Sequence, residues 1–462
     1  MSQFQHDQSR RAFLKRAGAL GMAGVAAPFV TSLGAIGEAA AATNSDYKAL
    51  VCVFLYGGMD YANTLVPYDT AGHAQYLAAR QNIAIQRDAL AATALSPSAE
   101  LRGGRQYALA PTMASLKPLF DAGRMAPILN VGTLVEPTTK AQYQAKSVRL
   151  PPKLFSHNDQ QSYFMASSPE GATSGWGGRI GDLFQSGNGA ATLTCINASG
   201  NAVYLTGRNA IQYATGTGGP VALLNNASTL YTSGAAQQAL KSLMTTAPGH
   251  MMGAEHAAIS KRALDTYAQV AGALSGAPTS VFPLFPASNT LADQLKMVAR
   301  MISVSAELGA RRQVFFVSMG GFDLHDNLAN QHPVLMGRVA DAMRAFHDTT
   351  VALGVSEKVT SFTASDFGRT LVSNDDGSDH GWGSMHFVVG GAVKGRRFYG
   401  NAPDIGNGTA DDVGQGRLIP GIAVDQYAAT LATWFGVPAG ELSTVLPNIG
   451  NYDASARNLG FL

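Results

Sequence analysis

Leu50-Val51-Cys52-Val53-Phe54-Leu55-Tyr56-Gly57-Gly58-Met59-Asp60 is the stretch that decides the fold. Its first seven residues are apolar or aromatic without a break. A strand with one wet face alternates apolar and polar residues, so a continuous run predicts a strand covered on both faces, as in a parallel sheet. Gly57-Gly58 then ends the strand in a sharp turn. The same plan recurs at Met125 to Val131, Gln313 to Ser318, Val359 to Ala364 and His386 to Gly390. Helical patterns lie between these runs. Leu291, Leu295, Val298, Ile302 and Leu308 follow an Asn289-Thr290 start signal, and Val334 to Leu353 and Gln426 to Phe435 read the same way. Strands alternating with amphipathic helices predict an α/β fold with a mostly parallel sheet. The stretch 187–286 is rich in Gly, Ala, Ser, Thr and Asn, and reads as an insertion on that core.

Composition narrows the function. The chain has 462 residues, of which 46% are hydrophobic and 14% charged, with 33 Lys+Arg against 31 Asp+Glu. A disordered chain would be more charged and less apolar. A nucleic-acid binder would carry a basic excess, so no nucleic-acid partner is expected. The 2 Cys, Cys52 and Cys195, cannot form a disulfide framework or a Cys-rich zinc module. Cys52 lies in a strand pattern where a free thiol is a small core residue. A Cys52–Cys195 bond remains open, because sequence does not supply its geometry.

The N-terminus reads as an address. Ser9-Arg10-Arg11-Ala12-Phe13-Leu14-Lys15 matches the twin-arginine export signature. The apolar run from Ala17 to Gly37 is broken by Gly18, Gly21, Gly24, Pro28 and Gly34, and small residues follow at Ala39 to Ala42. That pattern predicts a removable signal peptide over 1–42 rather than a membrane anchor. The expected partner is the twin-arginine translocase, which carries folded substrates, and the expected location is periplasmic or secreted. No stable span is expected in the mature chain. Without residues 1–42 the protein has 29 basic and 29 acidic residues, so its +2 charge belongs to the signal.

In open α/β sheets, ligands bind beyond the carboxyl ends of the strands. Those positions carry Asp60 and Asn63-Thr64; Asp323 and His325; Asp366 and Arg369; and, in a Gly-rich loop, Asp379-His380-Gly381-Trp382-Gly383-Ser384-Met385-His386. Phe155-Ser156-His157-Asn158-Asp159 lies between two of the strands. Five of the ten His fall between His325 and His386. Carboxylates and imidazoles gathered at strand ends are what a divalent-metal site needs. Each alone has a plain alternative, such as a loop brace or a helix cap.

These motifs resemble a known family. Phe-Leu-x-Gly-Gly-x-Asp at 54–60, Asn-Thr-x-x-Pro at 63–67, Ser156-His157, Gly-Gly-Phe-Asp-x-His at 320–325, Ser-Asp-Phe-Gly-Arg-Thr at 365–370 and Asp-His-Gly-Trp-Gly at 379–383 together look like the bacterial domain-of-unknown-function family 1501. That family is placed in the alkaline phosphatase–sulfatase superfamily, and the likeness runs from about Lys48 to Val437. It implies a three-layer α/β/α sandwich, alkaline-phosphatase-like, and one or two divalent ions, Zn, Mn, Mg or Ca. It also implies hydrolysis of a phosphate or sulfate ester. By resemblance the metal ligands are Asp60, Asp323, His325, Asp366 and His380, and Ser156 sits in the nucleophile segment. The chain departs from the superfamily in having Asp366-Phe367 where Asp-His is usual, and Asp-x-His at 323–325. It has no Cys-x-Pro-x-Arg segment. The missing imidazole keeps a second reading open, a non-catalytic periplasmic or cell-surface scaffold on the same fold.

Single residues carry paired readings. Arg369 either clamps an anionic substrate or neutralises Asp366 or Asp379. Trp382 packs its loop onto the core or stacks on substrate. His386 is a ligand or a hydrogen-bonded strand residue. Asn63 is a cap with a further oxyanion contact. His157 belongs to the site by its place after Ser156.

Overall fold

The first strand forms where its apolar run lies, and it is buried on both faces in the computed structural model, which describes residues 47–223 and 229–462. The proposed signal peptide lies outside the described residues. In chain order the main sheet uses β1 (Lys48–Leu55), β2 (Met125–Gly132), β3 (Cys195–Asn197), β4 (Tyr213–Gly216), β5 (Gly219–Pro220), β6 (Arg312–Met319), β7 (Val359–Ser365), β8 (Ser384–Gly390) and β9 (Ile422–Ala423). Its spatial order is β9-β2-β8-β7-β1-β6-β3-β4-β5. β1 is central and pairs in parallel with β6 and β7. The β2–β9, β3–β4 and β3–β6 pairs are also parallel. β8 runs against both its neighbours, β2 and β7. The run at 386–390 is therefore a strand, but not one of the parallel set.

Helices cover both faces. The ones used below are α1 (Thr70–Arg80), α2 (His157–Ala166), α3 (Trp176–Phe184), α4 (Gly234–Thr245), α5 (Met251–Ser275), α6 (Thr290–Ser303), α7 (Leu328–Ala352) and α8 (Val424–Phe435). Ala49, Val51, Val53 and Leu55 of β1 point to one core with Leu291, Leu295, Val298, Met336 and Val339 of α6 and α7. Leu50, Cys52 and Phe54 point to the other with Phe164, Ile180, Tyr427 and Leu431 of α2, α3 and α8. Burying such a Val, Leu or Phe side chain contributes about 1.5–3 kcal/mol. The period-2 geometry of a strand explains why β1 shows no polar position: both faces are inside. The result is a three-layer α/β/α sandwich.

The stretch 187–286 supplies β3, β4 and β5 at one edge of the sheet, then α4 and α5, which pack on each other. Cys52 and Cys195 are both buried and free. They sit on β1 and β3, with β6 between, and Cys195 lies level with Leu50 rather than Cys52. Two strand spacings alone separate them by about 10 Å, too far for a disulfide. Among the described residues no helix is long and apolar enough to cross a membrane.

Because β8 is antiparallel, the loop before it emerges at the same end as the carboxyl ends of β1, β6 and β7. That reversal brings His380 to the Asp-bearing loops.

Candidate metal centre

The turn after β1 fixes the floor of the site. Gly57 takes φ +116°, and a Cβ there would lie 2.3 Å from the backbone N of Asp323. Only glycine lets the two loops meet so closely. The Gly57 N–H donates to Asp366 Oδ2 at 3.1 Å, and its carbonyl accepts from Arg369 Nη1 at 3.0 Å. Gly377 serves the opposite wall, where a Cβ would fall 2.2 Å from the carbonyl carbon of His325.

On this frame three imidazoles surround one carboxylate. Asp323 Oδ2 lies 3.3 Å from His157 Nε2, and Asp323 Oδ1 lies 3.0 Å from His325 Nε2 and 3.2 Å from His380 Nε2. The Nε2 atoms of His325 and His380 are 3.0 Å apart. One ligand atom from each of His157, Asp323 and His380 fits within 4.8 Å of the others. Asp323 and His325 are 44% and 46% exposed, so the group opens to solvent.

Each ring is oriented from behind. His157 Nδ1 meets Asp366 Oδ2 at 2.6 Å, His325 Nδ1 meets Asp379 Oδ1 at 3.1 Å, and His380 Nδ1 meets the Phe155 carbonyl at 2.7 Å. A carboxylate and a carbonyl only accept, so each Nδ1 carries the proton and each Nε2 presents a lone pair. Three lone pairs therefore face one carboxylate, and those of His325 and His380 also face each other. His157 Nε2 is buried with no hydrogen-bond partner among the described residues. A cation placed among them removes the repulsion. A tetrahedral ion with ligands at about 2.1 Å spaces its donor atoms by about 3.4 Å, close to these separations. His157, Asp323 and His380 fit a divalent ion, with His325 beside Asp323 and His380, and an imidazole-rich set favours a zinc-class transition metal over Mg or Ca.

Burial opposes the charge of Asp323, but the hydrogen bond and charge of Arg369, with His157, hold its pKa below the usual carboxylate value. Asp379 is also lowered, since hydrogen bonds from Asn374 and His325 outweigh burial. The hydrogen bond to Asp366 raises His157, and burial lowers His380. Phe367 lies 4.8 Å from both His157 and His380, ring to ring, and walls the pair from one side.

Several residues named from sequence do other work. Asp60 is no part of the group. Its Oδ2 takes Arg80 Nη2 at 2.7 Å and Ser378 Oγ at 2.8 Å, and its Oδ1 caps the turn at the Asn63 N–H, 3.0 Å away. Arg80, from α1, is fully buried and neutralises it. Asp366 is also fully buried and stands behind His157, where it accepts from Gln161 Nε2 at 2.9 Å as well. Its Oδ2 is taken by His157, Gln161 and the Gly57 N–H, and its Oδ1 is buried with no hydrogen-bond partner among the described residues. Arg369 pairs with Asp323 rather than with Asp366 or Asp379, and is buried. Asn63 is used up by Tyr76, Arg80 and the Ile83 carbonyl, so it offers no oxyanion contact. His386 is a core residue, bonded to Thr363 Oγ1 and stacked on Tyr427, with its pKa pushed down to about 3 by burial. Trp382 packs its loop, donating to the Thr133 carbonyl. Ser156 precedes α2 with Oγ 2.9 Å from Asp159 Oδ2. Sequence reasoning passed over Arg80 and the orienting role of Asp379. Only the direct adjacency of Asp379 to His380 was visible there.

The model of a family described as a protein of unknown function, DUF1501, matches residues 47–419. No curated protein matches the sequence. Solved structures similar to the chain include the lipoteichoic acid synthase LtaP from Listeria monocytogenes, with 8% identity, 86% of this chain and 73% of that chain covered, and a TM-score of 0.32. A protein of Bacteroides thetaiotaomicron from a study of glycosaminoglycan metabolism shares 10% identity over 85% of this chain and 74% of its own, at 0.34. Ps i-CgsB, in complex with a neocarrahexaose, shares 9% over 88% and 77%, at 0.33.

Proposed function

The chain belongs to the DUF1501 family, and from that premise we propose that it is a metal-dependent hydrolase of a phosphate or sulfate ester. The observation that carries this reading is the set of three Nε2 lone pairs aimed at Asp323 with each Nδ1 proton held from behind. His157, Asp323 and His380 would hold the ion, with His325 beside them. Bound there, it would supply Lewis-acid polarisation of an ester oxygen.

The chain's own groups set up the rest. Asp366, Asp379 and the Phe155 carbonyl fix the three tautomers and ring angles, a role that orienting partners of metal ligands commonly play. Arg369 keeps Asp323 ionised. Asp159 lies where it accepts the Ser156 hydroxyl proton, which makes Ser156 the candidate nucleophile, with direct attack by water as the other route. The exposure of Asp323 and His325 gives an ester access. A metal-free scaffold gains nothing from opposed lone pairs, so the geometry favours a bound ion, and the solvent opening at Asp323 and His325 favours the enzyme. The signature at 9–15 supports export through the twin-arginine route, with the ion acquired before export.

The test is metal analysis of protein folded in the cell, with a panel of phosphate and sulfate esters. We expect a stoichiometric transition metal and metal-dependent turnover. Absence of metal, with no loss of stability on chelation, overturns the proposal.

A further inference from the structure

We infer that the centre takes one ion only and is matched to an ester of single negative charge, a sulfate monoester or a phosphate diester, rather than to a phosphate monoester dianion. This rests on the metal-dependent reading above and sharpens its substrate class.

The ion count follows from where the carboxylates are spent. Among the described residues one group of His, Cys, Asp or Glu converges closely enough to hold an ion. Asp60, at the next strand end, has both oxygens engaged, and the cation beside it is Arg80. Between Asp60 and Asp323 stands the buried guanidinium of Arg369. It binds Asp323, the Gly57 carbonyl and the Ser378 carbonyl, and Ser378 Oγ in turn donates to Asp60. A second ion would need ligands here, and would stand beside a fixed positive charge. The ring of Phe367 occupies the neighbouring wall, where it has no ligand atom to offer.

The charge class follows by counting. Asp60 cancels Arg80, and Asp323 cancels Arg369. Asp366 and Asp379 behind the rings balance one dication. Arg417 remains, with Nε on the His380 carbonyl at 2.8 Å and its guanidinium over the Phe155 ring, and it has no carboxylate partner among the described residues. The inner site with one ion therefore carries one net positive charge, which a monoanion neutralises and a dianion exceeds. Asp326, Asp375 and Asp376 are exposed on the same loops and repel a dianion further. The reaction is balanced with water alone: water adds to sulfur or phosphorus, the alcohol leaves with one proton, and hydrogen sulfate or a phosphate monoester remains.

The experiment uses full-length protein exported and purified with its metal. Metal per chain is measured by mass spectrometry. kcat/KM is then compared for 4-nitrophenyl sulfate, bis(4-nitrophenyl) phosphate and 4-nitrophenyl phosphate at pH 8. We expect one ion per chain, lost in His157→Ala and retained in Arg417→Gln. One of the two monoanions should exceed the dianion by about tenfold or more, and which one identifies the source. Arg417→Gln should narrow that ratio while leaving the ion in place. Two ions per chain, or a faster dianion, overturns this inference and leaves the hydrolase reading standing. No ion, or no turnover of any ester, overturns both.

Discussion

Replacing Asp60 by Asn separates the two roles this carboxylate can have. If it is the neutralising partner of Arg80, the change leaves the oxygen that caps Asn63 but removes the charge. Arg80 is 0% exposed, and its remaining partners are Asn63 Oδ1 and the carbonyls of Thr370 and Leu371, all uncharged. Leaving one ion of a buried pair uncompensated costs about 3–5 kcal/mol. Arg80's charge, the largest factor favouring ionisation, together with the hydrogen bonds and His332, outweighs burial and holds the Asp60 pKa below its usual value. The pair's stabilisation is therefore complete above the unfolded carboxylate pKa and fades as pH falls through the lower folded one. Urea unfolding at pH 7 should show the full loss for Asp60→Asn. The double variant with Arg80→Gln should recover at least about 1 kcal/mol relative to the sum of the single changes, since the two side chains are in contact. Bound metal per folded chain should stay at the wild-type value. A variant that keeps its stability but loses its metal would falsify the assignment and return Asp60 to the metal.

Other expectations follow from the same contacts. Asp366→Asn and Asp379→Asn should each weaken metal binding about 10–100-fold while the ligands remain, read by competition with a chromophoric chelator; unchanged affinity for both would remove their orienting role. Asp425 is buried, and its pKa is raised to about 6 chiefly by burial, despite hydrogen bonds from Asn448 and Ser167. A raised carboxyl pKa means the folded state holds the proton more tightly, so stability is lost as pH rises from about 4 to 6. Asp425→Asn should then stabilise the protein at pH 7 by about 2–3 kcal/mol, with the gain gone near pH 4; a loss at pH 7 would show that the carboxylate charge is needed. His386 is held neutral by burial, with a folded pKa of about 3. Stability should fall as pH drops from about 6.5 towards 3, and His386→Gln should flatten that slope in urea titrations; an equal slope would place the acid sensitivity elsewhere.

Most of the architecture was legible because burial on both faces leaves a mark that periodicity detects. β1, β6 and β7 each appear as an unbroken apolar run, and each is inside on both faces. Strand direction leaves no such mark. The run at 386–390 has the same composition as its parallel neighbours, yet β8 is antiparallel. Helix limits were also less visible. α7 begins at Leu328, before Pro333, because a proline near the start of a helix forfeits little hydrogen bonding. α6 stops at Ser303 although its apolar spacing runs on to Leu308.

The candidate site was legible as a gathering of residue types, not as an assignment of roles. Strand-end position selected Asp60, Asp323, Asp366 and His380 alike, because all four follow strands or precede one at the same edge. What divides them is the nearest counter-charge, and that comes from far along the chain. Arg80, 20 residues away, takes Asp60 out of the centre. His157, 209 residues from Asp366, takes up one oxygen of that carboxylate through its ring Nδ1. His157 itself looked secondary beside Ser156, yet it is the imidazole that Phe367 does not supply at its own position. Its ring, packed on Phe367, reaches Asp323 from another element. An imidazole absent at position 367 thus stands beside Asp323 from a different connection, and only the fold shows it.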